Sequence, residues 1–268
     1  MDRVVSSEQV QNFAAEIRDL RQGYVTNFFW DERKHPYWVD CGSLHYQKKD
    51  NCYLLLQQNE GFSNLFYMAS DMDAVANAIR QTPLDSNCVI DVVIRKEGNG
   101  EIEKLKEAGF THYKNLYRMS HIGMLADNTW ERSDDVLHAG LSDCQCVYET
   151  LHKNFDPLCE QLPSLQEVED YVKSESILVM KDGDRLCGFL IFEISGSTSW
   201  YLRYWYTSSE YRNQRIGAKL LKTALVIGKH TRRQQLWVVS ENENAIKRYE
   251  HYGFQKEPFN DYVLIKNK

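Results

Sequence analysis

The stretch WYLRYWYTSSEYRNQRIGAKLL, residues 200–221, decides the fold. An aromatic run over residues 200–207 predicts a strand, a polar turn covers residues 208–214, and an apolar stripe predicts a helix from Ile216. The first N–H groups of a helix have no partner within it, and the helix dipole places partial positive charge there. A strand, a basic turn with a glycine and a helix start, in that order, predict a site for a bound anion.

Composition sets the broad class of the chain. Its 268 residues are 43% hydrophobic and 26% charged, which is typical of a soluble globular protein with one large domain or two ordinary ones. The net charge of −6, without a basic arm, argues against a nucleic-acid partner. We find no run of about 20 apolar residues that would span a membrane, and the N-terminus lacks the apolar core of a secretory signal.

Cysteine usage indicates a reducing compartment. The seven cysteines are scattered and odd in number, which does not suit a disulfide framework and predicts a cytoplasmic protein. Cys144 and Cys146 form a lone C-x-C with no second ligand pair nearby. The sequence therefore predicts no metal site.

Periodicity predicts an alternation of helices and strands in both halves of the chain. Predicted helices cover residues 8–22, 71–80 (with Ser70 as its N-cap), 101–108, 144–154, 165–173, 216–229 and 243–252. Predicted strands cover residues 52–56, 65–69, 88–94, 110–119, 177–180, 186–194, 200–207, 235–239 and 261–266. Residues 24–50 show no clear period.

The two halves end alike, with a helix, a Gly-Phe pair and a strand that carries tyrosine. When Gly109 is set on Gly253, Leu105 falls on Tyr249. This weak repeat predicts two copies of one α/β fold, although similarity at a helix end also arises by chance. We expect a first domain over residues 1–120, a linker over 121–134 and a second domain over 135–268.

The basic turn carries a resemblance to a known family. It resembles the R/Q-x-x-G-x-G/A turn of the GNAT acyltransferase superfamily, which cradles the pyrophosphate of acyl-coenzyme A. Arg215 stands where the family usually has its first glycine, so it is either a tolerated substitution or a phosphate contact. The resemblance implies a cofactor contact for each residue of the turn: Arg212, Asn213, Gln214, Arg215, Ile216, Gly217 and Ala218.

A second motif lies downstream in the expected order. Asn242, Ala245, Tyr249, Gly253 and Phe254 resemble the family signature N-x-x-A-x-x-x-Y-x-x-x-G-F, and the first three share one face of a helix. The resemblance implies that Asn242 and Ala245 lie at the pantetheine arm. It also implies that Tyr249 protonates the departing thiolate as a general acid. A buried core tyrosine is the alternative for Tyr249.

The resemblance also implies a fold and further contacts. The fold is a tandem of mixed, mostly antiparallel sheets flanked by helices. The end of the central strand splays from its neighbour, so that the backbone of Tyr206 and Thr207 pairs with pantetheine amides. Because this strand has no Asp or Glu, the general base stays unassigned, with Glu193 on the preceding strand as a candidate. Arg203 is expected either to clamp a substrate carboxylate or to pair with an acidic neighbour.

The first half lacks these features. Its equivalent helix start, SDMDAVANAI, has no glycine turn and two acids where a phosphate would bind, and Leu105 and Gly98 replace the tyrosine and the asparagine. We expect it to be a degenerate copy that covers the cleft, shapes acceptor choice or mediates association.

The sequence as a whole predicts an N-acetyltransferase that uses acetyl-CoA. A primary amine of a small molecule or peptide attacks the thioester directly. A non-catalytic module that senses acyl-CoA or binds a protein is the alternative, and both a monomer and a homodimer remain open.

Overall fold

Two compact units make up the chain in a computed structural model that describes residues 1–95, 100–123 and 130–268. The first unit comprises Met1–Leu116 and Pro258–Lys268, and the second comprises Tyr117–Glu257. The expected boundaries were residues 120 and 135, with the C-terminal strand in the second domain. Residues 258–268 belong to the first unit instead, because residues 259–266 pair antiparallel with residues 88–95 of that unit. Residues 124–129 of the expected linker lie outside the described residues, and the roles assigned to the two halves remain predictions.

The first unit begins with short strands and two helices and continues as a sheet with helices between its later strands. Its strands are β1 (Asp2–Arg3), β2 (Val25–Thr26), β3 (Leu44–Lys49), β4 (Cys52–Gln58), β5 (Phe62–Ala69) and β6 (Asn87–Arg95). Its helices are α1 (Ser7–Asp19), α2 (His35–Asp40), α3 (Met72–Gln81) and α4 (Gly100–Glu107). Strand β7 (Thr111–Ile122) runs from this unit into the second.

The second unit repeats that order of elements. Its strands are β8 (Leu137–His138), β9 (Ile177–Asp182), β10 (Arg185–Ser195), β11 (Ser199–Thr207) and β12 (Arg233–Val239). Its helices are α5 (Cys144–Asn154), α6 (Pro157–Glu160), α7 (Leu165–Lys173), α8 (Ile216–Ile227) and α9 (Glu243–His251). Strand β13 (Gln255–Lys266) begins here and returns to the first unit.

Strand pairing follows one pattern in both units. In the first, β3, β4 and β5 are antiparallel neighbours and β5 pairs parallel with β6. In the second, β9, β10 and β11 are antiparallel neighbours and β11 pairs parallel with β12. Helices α4 and α9 are each followed by a glycine with positive φ, Gly109 at 94° and Gly253 at 88°. The predicted fold class, a mixed and mostly antiparallel sheet flanked by helices in tandem, is confirmed.

Each sheet buries apolar side chains on both of its faces. In the first unit, α3 and α4 cover one face and α1 and α2 the other. In the second unit, α8 and α9 pack on one face through residues such as Leu220 and Leu221. Helices α5 and α7 pack on the opposite face through Val147, Leu151 and Val168. Because helices cover both faces, strands such as β4 are apolar on both sides.

The helix starts show how local sequence fixes these elements. Ser164 and Glu167 form a capping box at α7, and Asn242 caps α9 through a bond from the Ala245 N–H. The predicted cap Ser70 is wrong by one residue, since Asp71 accepts the Ala74 N–H at 2.8 Å. The sequence also did not predict β3 or the short elements β1, β2, β8, α2 and α6. None of the helices formed by the described residues is long and apolar enough to cross a membrane.

Candidate active site

The central strands of the second unit separate into a wedge. The parallel pairing of β11 with β12 covers only four positions, from Ser199↔Arg233 to Leu202↔Leu236. Strand β11 continues to Thr207 and β12 to Val239. On its other edge β11 stays paired with β10 as far as Thr207↔Gly188. Alternate β11 residues beyond Leu202 therefore direct backbone N–H and C=O groups into the wedge, and only one of the neighbouring predicted positions, Tyr206 and Thr207, can do so.

The predicted anion site lies at the start of α8. This helix has no acidic residue in its first turn and no side-chain cap, so its first N–H groups remain available to an anion. Residues 212–215 are exposed, and we find no ion pair between Arg212 or Arg215 and an acidic side chain in the described part of the chain. Asn213 and Arg215 have φ angles of 67° and 59°, in the left-handed region. Arg215 thus has the backbone conformation that favours the glycine of the family pattern.

Two glycines allow α8 to start close to the sheet. A Cβ on Gly217 would lie 3.0 Å from the Thr207 hydroxyl oxygen and 3.0 Å from the Trp205 ring. A Cβ on Gly188 would lie 2.7 Å from the Tyr206 carbonyl oxygen. Because neither glycine has a side chain, the N-terminus of α8 can lie close beside the wedge. Sequence reasoning assigned Gly217 to phosphate approach and did not single out Gly188, whose role depends on a contact across strands.

Helix α9 places Tyr249 against the wedge strand. Tyr249 is 6% exposed, and its ring centre lies 5.5 Å from that of Trp205 on β11. Burial raises the pKa of Tyr249 above its usual range, the charge of Glu160 adds to this, and Arg248 opposes it. The side chain is therefore a neutral phenol near neutral pH, which is the state of a proton donor. Tyr249 is also a core side chain, as the alternative interpretation expects, and its role as a general acid remains a prediction.

Asn242 and Ala245 lie at the other end of the same helix. The Asn242 side-chain oxygen accepts the Ala245 N–H at 3.1 Å, which caps α9. Because this bond uses the oxygen, the Asn242 amide nitrogen remains a donor toward a ligand. In the first unit the matching position Leu105 is a buried apolar side chain of α4 that cannot donate a proton, and Gly98 lies outside the described residues.

A β-bulge at Arg203 changes which side chains face each other on β11. Ile191 pairs with Tyr204 and Phe192 with Leu202, so Arg203 has no opposite residue on β10. The regular alternation of side chains between the two faces of a strand is therefore broken beyond Leu202. Trp205 packs with the cluster that contains Leu202 and the residues of α8, whereas Tyr204 packs with α5 and α7.

The two predicted substrate residues are partners of each other. The Arg203 Nε lies 3.7 Å from Glu193 Oε1, and the Tyr171 hydroxyl donates to the same oxygen at 2.7 Å. Both charged side chains are largely buried, at 22% and 15% exposure. The structure thus shows the acidic-neighbour alternative for Arg203. The Glu193 carboxylate is thus engaged by Arg203 and Tyr171.

The segment around α6 contributes a carboxylate that sequence reasoning missed. The Tyr204 hydroxyl lies 2.9 Å from the carbonyl oxygens of both Glu160 and Gln161, which ties this segment to β11 next to the bulge. The Glu160 charge acts on both Tyr204 and Tyr249. Sequence reasoning did not single out Glu160, because the contacts that tie α6 to β11 join residues more than 40 positions apart. The Glu160 Oε2 itself accepts the Asp156 N–H at 3.2 Å.

These features test whether the site suits acyl-coenzyme A. The wedge offers backbone groups to amides, the α8 start offers N–H groups to phosphate without a competing acid, and Tyr249 is a protonated phenol. Trp205 also has a buried ring nitrogen with no hydrogen-bond partner among the described residues, near Gly217. The residues present fit the ligand that the sequence motifs imply.

A sheet whose parallel central strands separate beside an open helix start is the architecture of the acyl-coenzyme A N-acyltransferases. Residues 145–254 match the model of the acetyltransferase (GNAT) family. Family members generally use acetyl-CoA. No curated protein matches the chain.

Solved structures share the fold over most of the chain. An acetyltransferase of the GNAT family from Colwellia psychrerythraea has a TM-score of 0.57 at 14% identity, covering 100% of this chain and 99% of that one. A tandem GNAT protein from the clavulanic acid biosynthesis pathway has a TM-score of 0.57 at 11% identity, covering 81% and 79%. An N-acetyltransferase from Kribbella flavida has a TM-score of 0.53 at 13% identity, covering 87% and 95%. At these identities the likeness establishes the fold.

Proposed function

We propose that the second unit is an N-acetyltransferase that uses acetyl-CoA. It transfers the acetyl group to a primary amine of a small molecule or peptide by direct attack on the thioester. One observation carries the proposal: the wedge between β11 and β12 lies beside the open α8 start and the buried phenol of Tyr249. A structural scaffold has no need for this combination of donors.

The residues that would hold the cofactor come from three elements. A backbone N–H and C=O at the Tyr206–Thr207 end of β11 would pair with the pantetheine amides, and the Asn242 amide would add a donor. The turn and first residues of α8 would bind the pyrophosphate, namely Arg212, Asn213, Gln214, Arg215, Ile216, Gly217 and Ala218. Bound acetyl-CoA would supply the thioester, and the chain supplies orientation, hydrogen bonds and proton transfer.

Two side chains would move protons. Tyr249 donates its phenolic proton to the departing thiolate, for which its raised pKa keeps it protonated. Glu160 accepts the proton of the acceptor amine, since its charge is felt at Tyr249 and it lies on the segment bound to Tyr204. Backbone N–H groups in the wedge stabilise charge that develops on the thioester oxygen.

The experiment is an acceptor screen with the purified full chain. Release of free thiol from acetyl-CoA is followed across a panel of small amines and peptide N-termini, beside a thermal-shift titration with acetyl-CoA. We expect a rise in Tm and acceptor-dependent thiol release for at least one amine class. Binding without turnover on any amine would instead support the acyl-CoA-sensing module. Neither binding nor turnover would remove acetyl-CoA from the proposal.

A further inference from the structure

The first unit contains a second wedge between parallel strands. Strand β5 pairs with β6 at only three positions, from Phe62↔Asn87 to Asn64↔Val89, although β5 continues to Ala69 and β6 to Arg95. On its other edge β5 is paired with β4 along residues 63–69. This is the same separation of strands as between β11 and β12.

A segment of the same unit enters this wedge. Strand β2 pairs antiparallel with β5 at Val25↔Ala69 and Thr26↔Met68. Because β4 takes the opposite edge, β2 uses the edge of β5 that β6 has left. The Thr26 hydroxyl also donates to the Tyr67 carbonyl oxygen at 2.7 Å.

Asn27 bridges the two separated strands. Its side-chain oxygen accepts the Tyr67 N–H at 2.8 Å. Its amide nitrogen donates to the Leu65 carbonyl oxygen at 3.3 Å and to the Asp91 carbonyl oxygen of β6 at 3.0 Å. A primary amide thus takes the backbone groups that an amide-bearing ligand would need in such a wedge.

The N-terminus of α3, next to this wedge, is capped by a side chain of the same chain. The Asp71 carboxylate accepts the Ala74 N–H at 2.8 Å, and this bond is the main cause that lowers the pKa of Asp71. A second carboxylate, Asp73, lies in the first turn of α3. Two negative charges at the helix N-terminus oppose the binding of a phosphate.

We propose that residues 25–28 are a built-in occupant of the first unit's acyl-CoA cleft. The segment satisfies the wedge with the chain's own amides, so the protein binds one acyl-CoA, in the second unit. The stoichiometry part rests on the proposed function, whereas the occupancy of the wedge does not.

Hydrogen exchange without any ligand tests the occupancy. In the wild type we expect protection of the Tyr67 amide. Asn27→Ala should speed its exchange about tenfold or more, the effect of losing one buried hydrogen bond. Asn27→Asp keeps the acceptor for the Tyr67 N–H but loses both donors, so it should retain most of that protection. Asn12→Ala, at an exposed position of α1, is the matched control and should change nothing at Tyr67. A Tyr67 amide that exchanges freely in the wild type would overturn the proposal even if no variant folds.

Calorimetry with acetyl-CoA then tests the stoichiometry. One site per chain supports the inference, and two sites would overturn it. If no binding is seen, the proposed function fails while the exchange experiment still decides whether the segment occupies the wedge.

Discussion

The segment that follows the first helix takes different paths in the two units. In the first unit, residues 20–34 leave α1 and send residues 25–28 between β5 and β6. In the second, residues 155–164 leave α5, form α6, and are bound at the Tyr204 hydroxyl. The strands separate in the same way in both units, yet within residues 1–95, 100–123 and 130–268 only the first wedge holds a piece of its own chain.

This difference shows what distinguishes a cleft from a core. A separated strand pair leaves backbone N–H and C=O groups that must find partners, because an unpaired buried group costs about as much as a lost hydrogen bond. The first unit satisfies those groups internally with Thr26 and Asn27. In the second unit we find no such segment between β11 and β12 among the described residues, and the α8 start likewise has no capping side chain.

Replacing the acid in the open wedge should have the largest effect. Tyr249→Phe removes the phenolic proton while retaining the ring contact with Trp205, so turnover should fall roughly 10–100-fold or more. The rise in Tm with acetyl-CoA should persist. Tyr67→Phe, the same change at a buried tyrosine beside the filled wedge, is the control and should leave turnover unchanged. Equal turnover in Tyr249→Phe and the wild type would exclude Tyr249 from the chemistry.

Removing the carboxylate of the α5–α7 connection should have the next largest effect. Glu160→Gln should lower turnover by about tenfold or more, since the amine proton loses its acceptor. It should also lower the pKa of Tyr249, because the Glu160 charge helps to raise it. The alkaline decline of the pH–rate profile should then move to lower pH. In the wild type it should lie above about pH 10, the ordinary value for tyrosine.

Glu149→Gln, on the exposed side of α5, provides the comparison for that variant. It removes one carboxylate without touching the segment near Tyr204. A turnover loss in Glu160→Gln without any shift of the alkaline decline would indicate a structural effect rather than proton transfer.

The contrast between the wedges also explains what the sequence could reveal. Asn242, Ala245 and Tyr249 could be proposed from the sequence because their motif resembles the family signature, and helical spacing places them on one face. Residues 25–28 were not, since a two-residue strand has no period and the Asn27 bonds reach partners 38 to 64 positions away. The Arg203 bulge was equally hidden, because an extra residue in a strand leaves no mark in the pattern yet reverses the faces beyond it.

The smallest expected effect concerns Arg215, the departure from the family pattern. Its φ of 59° costs a residue with a Cβ about 1–2 kcal/mol. Arg215→Gly relieves this strain. It also lowers the stability by roughly 0.5–1 kcal/mol, because glycine loses more conformational entropy on folding. The free energy of unfolding should therefore rise by up to about 1.5 kcal/mol in denaturant titrations.

Asn213→Gly, at a φ of 67°, should raise the free energy of unfolding by less, because asparagine tolerates this conformation.

The affinity for acetyl-CoA then decides between the two interpretations of Arg215. A tolerated substitution predicts unchanged affinity in Arg215→Gly, at low salt and high salt alike. A phosphate contact predicts weaker binding at low salt and a difference from the wild type that shrinks as salt screens the guanidinium. The strained backbone and the exposed charge together favour the phosphate contact, since a strained residue persists most readily where its side chain serves a ligand.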